Sequence, residues 1–203
     1  MMFFLLFFSC AAGCASVRTA DTRNVTVAVQ NYNLWVSEQK ELDKMTRNTF
    51  TMIGNHASTY NSEISKEHPD YLLLRENLAQ DRQLLDQWDS RLNALTAATD
   101  RLDKHMATLG NHNATGTQAP NTLGLMIQYM KIYSVDVSNA RQYLIEYVNN
   151  AETYIKPEDP DFWDDKYRQN AMQAKEQAVA AFADGDSALE NITNQARNLQ
   201  NFQ

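Results

Sequence analysis

The chain has 203 residues, 43% of them hydrophobic, which is enough for one packed domain and excludes wholesale disorder. With only 6 glycines and 4 prolines it lacks the frequent turn residues that sandwiches and barrels require. The net charge is −7 and no Lys/Arg cluster occurs, so a phosphate-tracking surface is excluded and nucleic acid is not an expected partner.

The first element is MMFFLLFFSCAAGCAS, uncharged through Val17. Its apolar heart, Phe3-Phe4-Leu5-Leu6-Phe7-Phe8, falls well short of the ~20 residues of a membrane-spanning helix. It decays into small residues, as the hydrophobic region of an export signal does before a processing site. Ala11-Ala12-Gly13-Cys14 resembles the lipobox of bacterial lipoproteins, with Ala11 standing where leucine is usual. The resemblance implies a signal peptide over 1–13 and lipidation of Cys14, with Cys10 the second candidate acceptor. It also implies anchorage to a membrane through the N-terminal lipid. Ala15 rather than Asp follows Cys14, which in that class implies the outer membrane, facing the periplasm or the cell surface. Residues 14–22 would then be the lipidated N-terminus and a short tether. No other thiol would remain, so disulfides and cysteine chemistry drop out together.

The next four elements are helices. Apolar residues recur at helical spacing over 23–66, through Tyr32, Trp35, Val36, Leu42, Phe50, Ile53, Ala57, Tyr60 and Ile64, with Gln39, Thr46 and Thr49 interrupting. Over 70–109 the pattern tightens into heptads. Tyr71, Leu78, Leu85, Leu92, Thr99 and Met106 form one series, and Leu74, Asp81, Trp88, Leu95, Leu102 and Leu109 the other. A third helix is predicted over 121–155, on Met126, Met130, Tyr133, Val137, Ala140, Leu144, Tyr147 and Ala151. The fourth, over 161–200, carries a stripe from Tyr167 through Ala171, Ala174, Ala178, Ala181, Gly185 and Ala188 to Ile192 and Leu199, whose six consecutive small residues permit close approach of a neighbour.

Short links marked by His68-Pro69-Asp70 and Lys156-Pro157-Glu158-Asp159-Pro160 make consecutive helices antiparallel. The expected fold is all-α, a long up-down-up-down four-helix bundle over 23–203 with coiled-coil-like packing. At 1.5 Å per residue its length is roughly 55–60 Å. With an anchor at Cys14, the 67–70 and 156–161 links would form the distal tip.

Chemistry-bearing clusters are few. Glu158 to Asp165 holds five carboxylates, for which the expected role is helix capping, with Asp161 as N-cap. Pro69, Tyr71, Asp161, Phe162 and Trp163 are the candidate partner-binding residues of the tip, and Tyr129 and Tyr143 those of an aromatic flank on the third helix. Asp81 on the second seam, with Arg168 at the same height as its expected partner, is the candidate ligand pocket. Asp184-Gly185-Asp186 reads as tight packing around the glycine. The four histidines, His56, His68, His105 and His112, show no metal-ligand spacing, and no nucleophile-base arrangement occurs, so neither a metal, a cofactor nor catalysis is expected.

The expected function is accordingly a non-enzymatic, membrane-anchored envelope lipoprotein, acting as a helical adaptor, spacer or assembly factor for other envelope proteins. The alternative is a ligand-binding helical bundle with a polar mid-bundle site. A homo-oligomer is compatible with both, because the same seams could be completed by a second chain.

Overall fold

The computed structural model describes residues 19–110 and 119–200. They form an all-α four-helix bundle: α1 (Thr19–Glu63), α2 (Tyr71–Gly110), α3 (Ala119–Ile155) and α4 (Asp165–Gln200), with a 3-10 turn at Pro160–Phe162 before α4. The Cys14 and Cys10 signal and most of the 110–120 link lie outside the described residues. So do the side chains of Met106 and Leu109.

Pairs of contacts fix the directions. Trp35 Nε1–H donates to Thr99 Oγ1 at 2.9 Å and His56 meets Asp81, so α1 and α2 are antiparallel. Lys131 pairs with Asp103, and Arg82 with Glu152, which sets α2 against α3 the same way. Val137 packs on Gly185 and Tyr154 on Trp163, which turns α4 back along α3.

The heptads of α2 become the core. Leu74, Leu78, Leu85, Trp88, Leu92, Leu95 and Leu102 are all buried. A fully buried leucine contributes about 1.5–3 kcal/mol through the apolar surface it withdraws from water. Of the polar seam residues, Thr99 is fully paired, whereas the buried Thr46 and Thr49 hydroxyls have no partner among the described residues. Thr99 accepts from Trp35 and donates its own hydroxyl hydrogen to Leu95 O at 3.0 Å, so its burial leaves nothing unpaired. Large rings from α1 and α3 meet across the middle: Trp35 lies edge-on to Tyr133 at 6.5 Å, and Tyr60 Oη–H donates to Ala151 O at 3.2 Å.

α4 sinks onto α3 because its seam is made of alanine and glycine. Ala171, Ala174, Ala178 and Ala188 are buried, and a Cβ on Gly185 would stand 3.4 Å from Val137 Cγ2. Tyr167 does not join this seam. It is exposed in the first turn of α4, beyond the end of the close packing.

The fourth helix begins four residues later than the sequence suggests. Asp164, not Asp161, is its cap: Lys166 N–H donates to Asp164 Oδ1 at 2.9 Å. Pro160 starts a separate 3-10 turn, which consumes Asp161 before the α-helix can form. The cap of α2 is Asp70, whose Oδ1 accepts from Leu73 N–H at 3.0 Å.

Candidate functional site

The end of the bundle that holds residues 63–71 and 155–165 is built from its two links. Glu63, the last residue of α1, ties the first link together. Its Oε1 accepts from Lys66 Nζ, and its Oε2 from the Asp70 backbone N–H at 3.1 Å. These bonds hold the Glu63 carboxyl below its ordinary range. Pro69 O accepts from Tyr71 N–H, closing the entry to α2. In the second link, Glu158 adopts a left-handed backbone with φ 53°, an uncommon conformation for a residue with a side chain. Its carboxylate pairs with Arg75 on α2, and Glu158 N–H donates to Ile155 O at 3.1 Å. Asp159 Oδ1 accepts from Asp161 N–H at 3.0 Å.

The carboxylate run therefore divides by task. Asp159 and Asp164 serve the backbone, Glu158 crosses to Arg75, Asp165 reaches the Tyr154 hydroxyl, and Asp161 projects into solvent.

The aromatic residues divide as well. Tyr60, Tyr154, Trp163 and Tyr71 form a chain of ring contacts, at 6.4, 4.9 and 6.3 Å between successive centroids, which closes the core. Burial raises the Tyr71 hydroxyl above its ordinary pKa, and the Asp159 and Glu158 carboxylates add to this. Neither Tyr71 Oη nor Trp163 Nε1 has a hydrogen-bond partner among the described residues, although both atoms are buried. Phe162 departs from this pattern. It is 73% exposed on the 3-10 turn, beside a Trp163 that is packed in. Leu72, one residue along from Tyr71, is 69% exposed at the same end. Of the five tip candidates, the structure joins Tyr71 and Trp163 in the end seal and leaves Asp161 and Phe162 outward.

On α3, Tyr129 and Tyr143 are half-buried and pack against the core, widening it. Among the described side chains of that helix, the exposed large apolar ones are Leu125, Ile132 and Val135.

The polar seam corrects the expected Asp81–Arg168 pair. Asp81 is fully buried, and its Oδ1 lies 2.6 Å from His56 Nδ1 on α1. Burial raises the Asp81 carboxyl above its ordinary pKa, and the bond to His56 opposes that rise. Arg168 stands at the expected height but on the α1/α4 side, beside the Tyr154 hydroxyl and near Tyr60. The signal for His56 was present in the chain. Thr49, Ile53, His56, Tyr60 and Glu63 follow helical spacing, and folding α1 back on α2 about the 63–71 link sets His56 within a turn of Asp81.

Among the described residues, no three His, Cys, Asp or Glu side chains converge to hold a metal ion, and no helix is long and apolar enough to cross a membrane. No protein-family model, curated protein or solved structure matches the chain.

Proposed function

We propose that the protein is a non-enzymatic envelope lipoprotein, lipidated at Cys14 and residing in the outer membrane, whose helical rod holds the 63–71/155–165 end out to a protein partner. The observation that carries this reading is Phe162, 73% exposed on a short turn whose neighbours are fixed on both sides. Trp163 is packed beneath it, and Asp159 and Asp164 hold the turn by backbone hydrogen bonds. An exposed ring on a rigid mount loses little conformational freedom on binding, which is how aromatic anchors act in interfaces. Asp161 beside it favours a partner that brings basic side chains around an apolar pocket.

The full chain carrying Phe162→Asp should keep its helix content and melting temperature while losing the envelope protein that the unaltered chain co-purifies. Retention of that protein by the variant overturns the tip reading; loss with Tyr143→Ala but not with Phe162→Asp moves the contact to α3. For the anchor, Cys14→Ser should abolish incorporation of labelled palmitate and release the chain from membranes. Continued labelling of Cys14→Ser would contradict the assignment.

A further inference from the structure

The four seams of the bundle are unequal, and the α1/α4 seam opens into a groove. Midway along it the two helices are bridged by large side chains. Phe50 and Phe182 pack with centroids 5.0 Å apart, and Arg47 lies 5.1 Å over Phe182 while pairing with Asp186 at 2.9 Å. Two turns nearer the 63–71 end the bridging residues are gone. Ala57 stands on α1 and Ala171 on α4, and the small seam of α4 has drawn that helix toward α3. What opens is a groove of about 330 Å³, floored by Ala57, Tyr60, Tyr147 and Ala171, and walled by Met172 and Val179. Both wall residues are 53% exposed.

The margin of the groove is charged against the trend of the molecule. Residues 157–203 hold nine acids and four bases, and two of those four, Arg168 and Lys175, line this groove, against the single acid Glu176. The two bases are seven residues apart and so share one face of α4, with Met172 between them. Neither forms an ion pair among the described residues, but Arg168 is held at the Tyr154 hydroxyl, which Asp165 also reaches, so Lys175 is the base that faces a ligand. The volume lies at the small end of the range of about 300–1,000 Å³ typical of small-molecule sites. From Arg168 to Val179 is roughly 16 Å at 1.5 Å per residue, the reach of a medium-length acyl chain.

We propose that the α1/α4 groove binds a small amphipathic anion, an acyl carboxylate, with its chain over Ala57, Tyr147 and Ala171 and its head group at Lys175. Burying the chain removes the exposed Met172 and Val179 surface from water, and the carboxylate supplies a counter-charge for Lys175. This site is separate from the tip and stands or falls without it.

The test is titration of the purified full chain with dodecanoate below its micellar concentration, read by calorimetry and by the methyl signals of labelled methionine. The expected result is saturable binding of one ligand per chain, with the Met172 methyl shifted most. Lys175→Glu should weaken binding at least about tenfold, roughly the effect of reversing a charge at the head group. Val179→Asp should weaken it as well, and both variants should melt like the unaltered chain because neither residue is in the core. Dodecyltrimethylammonium, with the same chain and the opposite charge, should not saturate. Equal binding of the cation, an unmoved Met172 signal, or unchanged affinity in both variants would overturn the proposal.

Discussion

At Asp81 a carboxylate with no solvent exposure shares one short contact with His56, and its Oδ2 has no partner among the described residues. Because burial raises the folded-state pKa of Asp81, its contribution to stability is greatest below the ordinary carboxylate pKa of 3.8 and is lost as pH rises through the raised value. Asp81→Asn removes the buried charge and keeps the shape. Denaturant unfolding at pH 4 and pH 7 should therefore favour the variant over the unaltered chain more at pH 7 than at pH 4. The reverse ordering would mean that the ionised form is the better-solvated one. The two link aspartates give a second contrast. Asp164→Ala should cost about 1 kcal/mol, the usual loss for a cap, whereas Asp161→Ala should stay within about 0.5 kcal/mol in the same unfolding measurement.

Among the helices, α2 was legible in the sequence almost residue by residue, because ten of its twelve heptad positions are apolar and charge fills the positions between. The start of α4 was not, because Asp161 and Asp164 are equally good caps locally and only the 3-10 turn at Pro160 decides between them. The small seam of α4 predicted close packing, yet nothing in its spacing said whether α1 or α3 would receive it. The structure gives it to α3, and the α1/α4 groove is the consequence. Gly185 tests the tightness of that seam. A Cβ there meets Val137 Cγ2 at 3.4 Å, the near edge of ordinary contact, so Gly185→Ala should gain about 0.5–1 kcal/mol from helix propensity. Gly185→Leu has no such room and should lower the melting temperature.

For the whole molecule, the direction of each helix followed from link length alone, and so the sequence could place the 63–71 and 155–165 links at one end. Which aromatic ring that end would expose was not legible. Phe162 and Trp163 are neighbours of similar hydrophobicity, and only the geometry of the 3-10 turn points one inward and the other outward. The partner of Asp81 was missed for a different reason. Arg168 was the obvious counter-charge at that height, but α4 is displaced toward α3, and that leaves His56 on α1 as the group that reaches the seam. With the chain tethered at Cys14, the rod would hold the exposed ring of Phe162 roughly 60 Å from the anchored end, as a helix of about forty residues implies.

The most direct measurement is site-specific photocrosslinking in intact cells, with a photoreactive phenylalanine at position 162 and, as a control, at the exposed position 87 on the middle of α2. One discrete crosslinked envelope protein is expected from position 162, weakened by Asp161→Lys, and none from position 87. Equal crosslinking from both positions, or none from position 162, would contradict a contact at the tip.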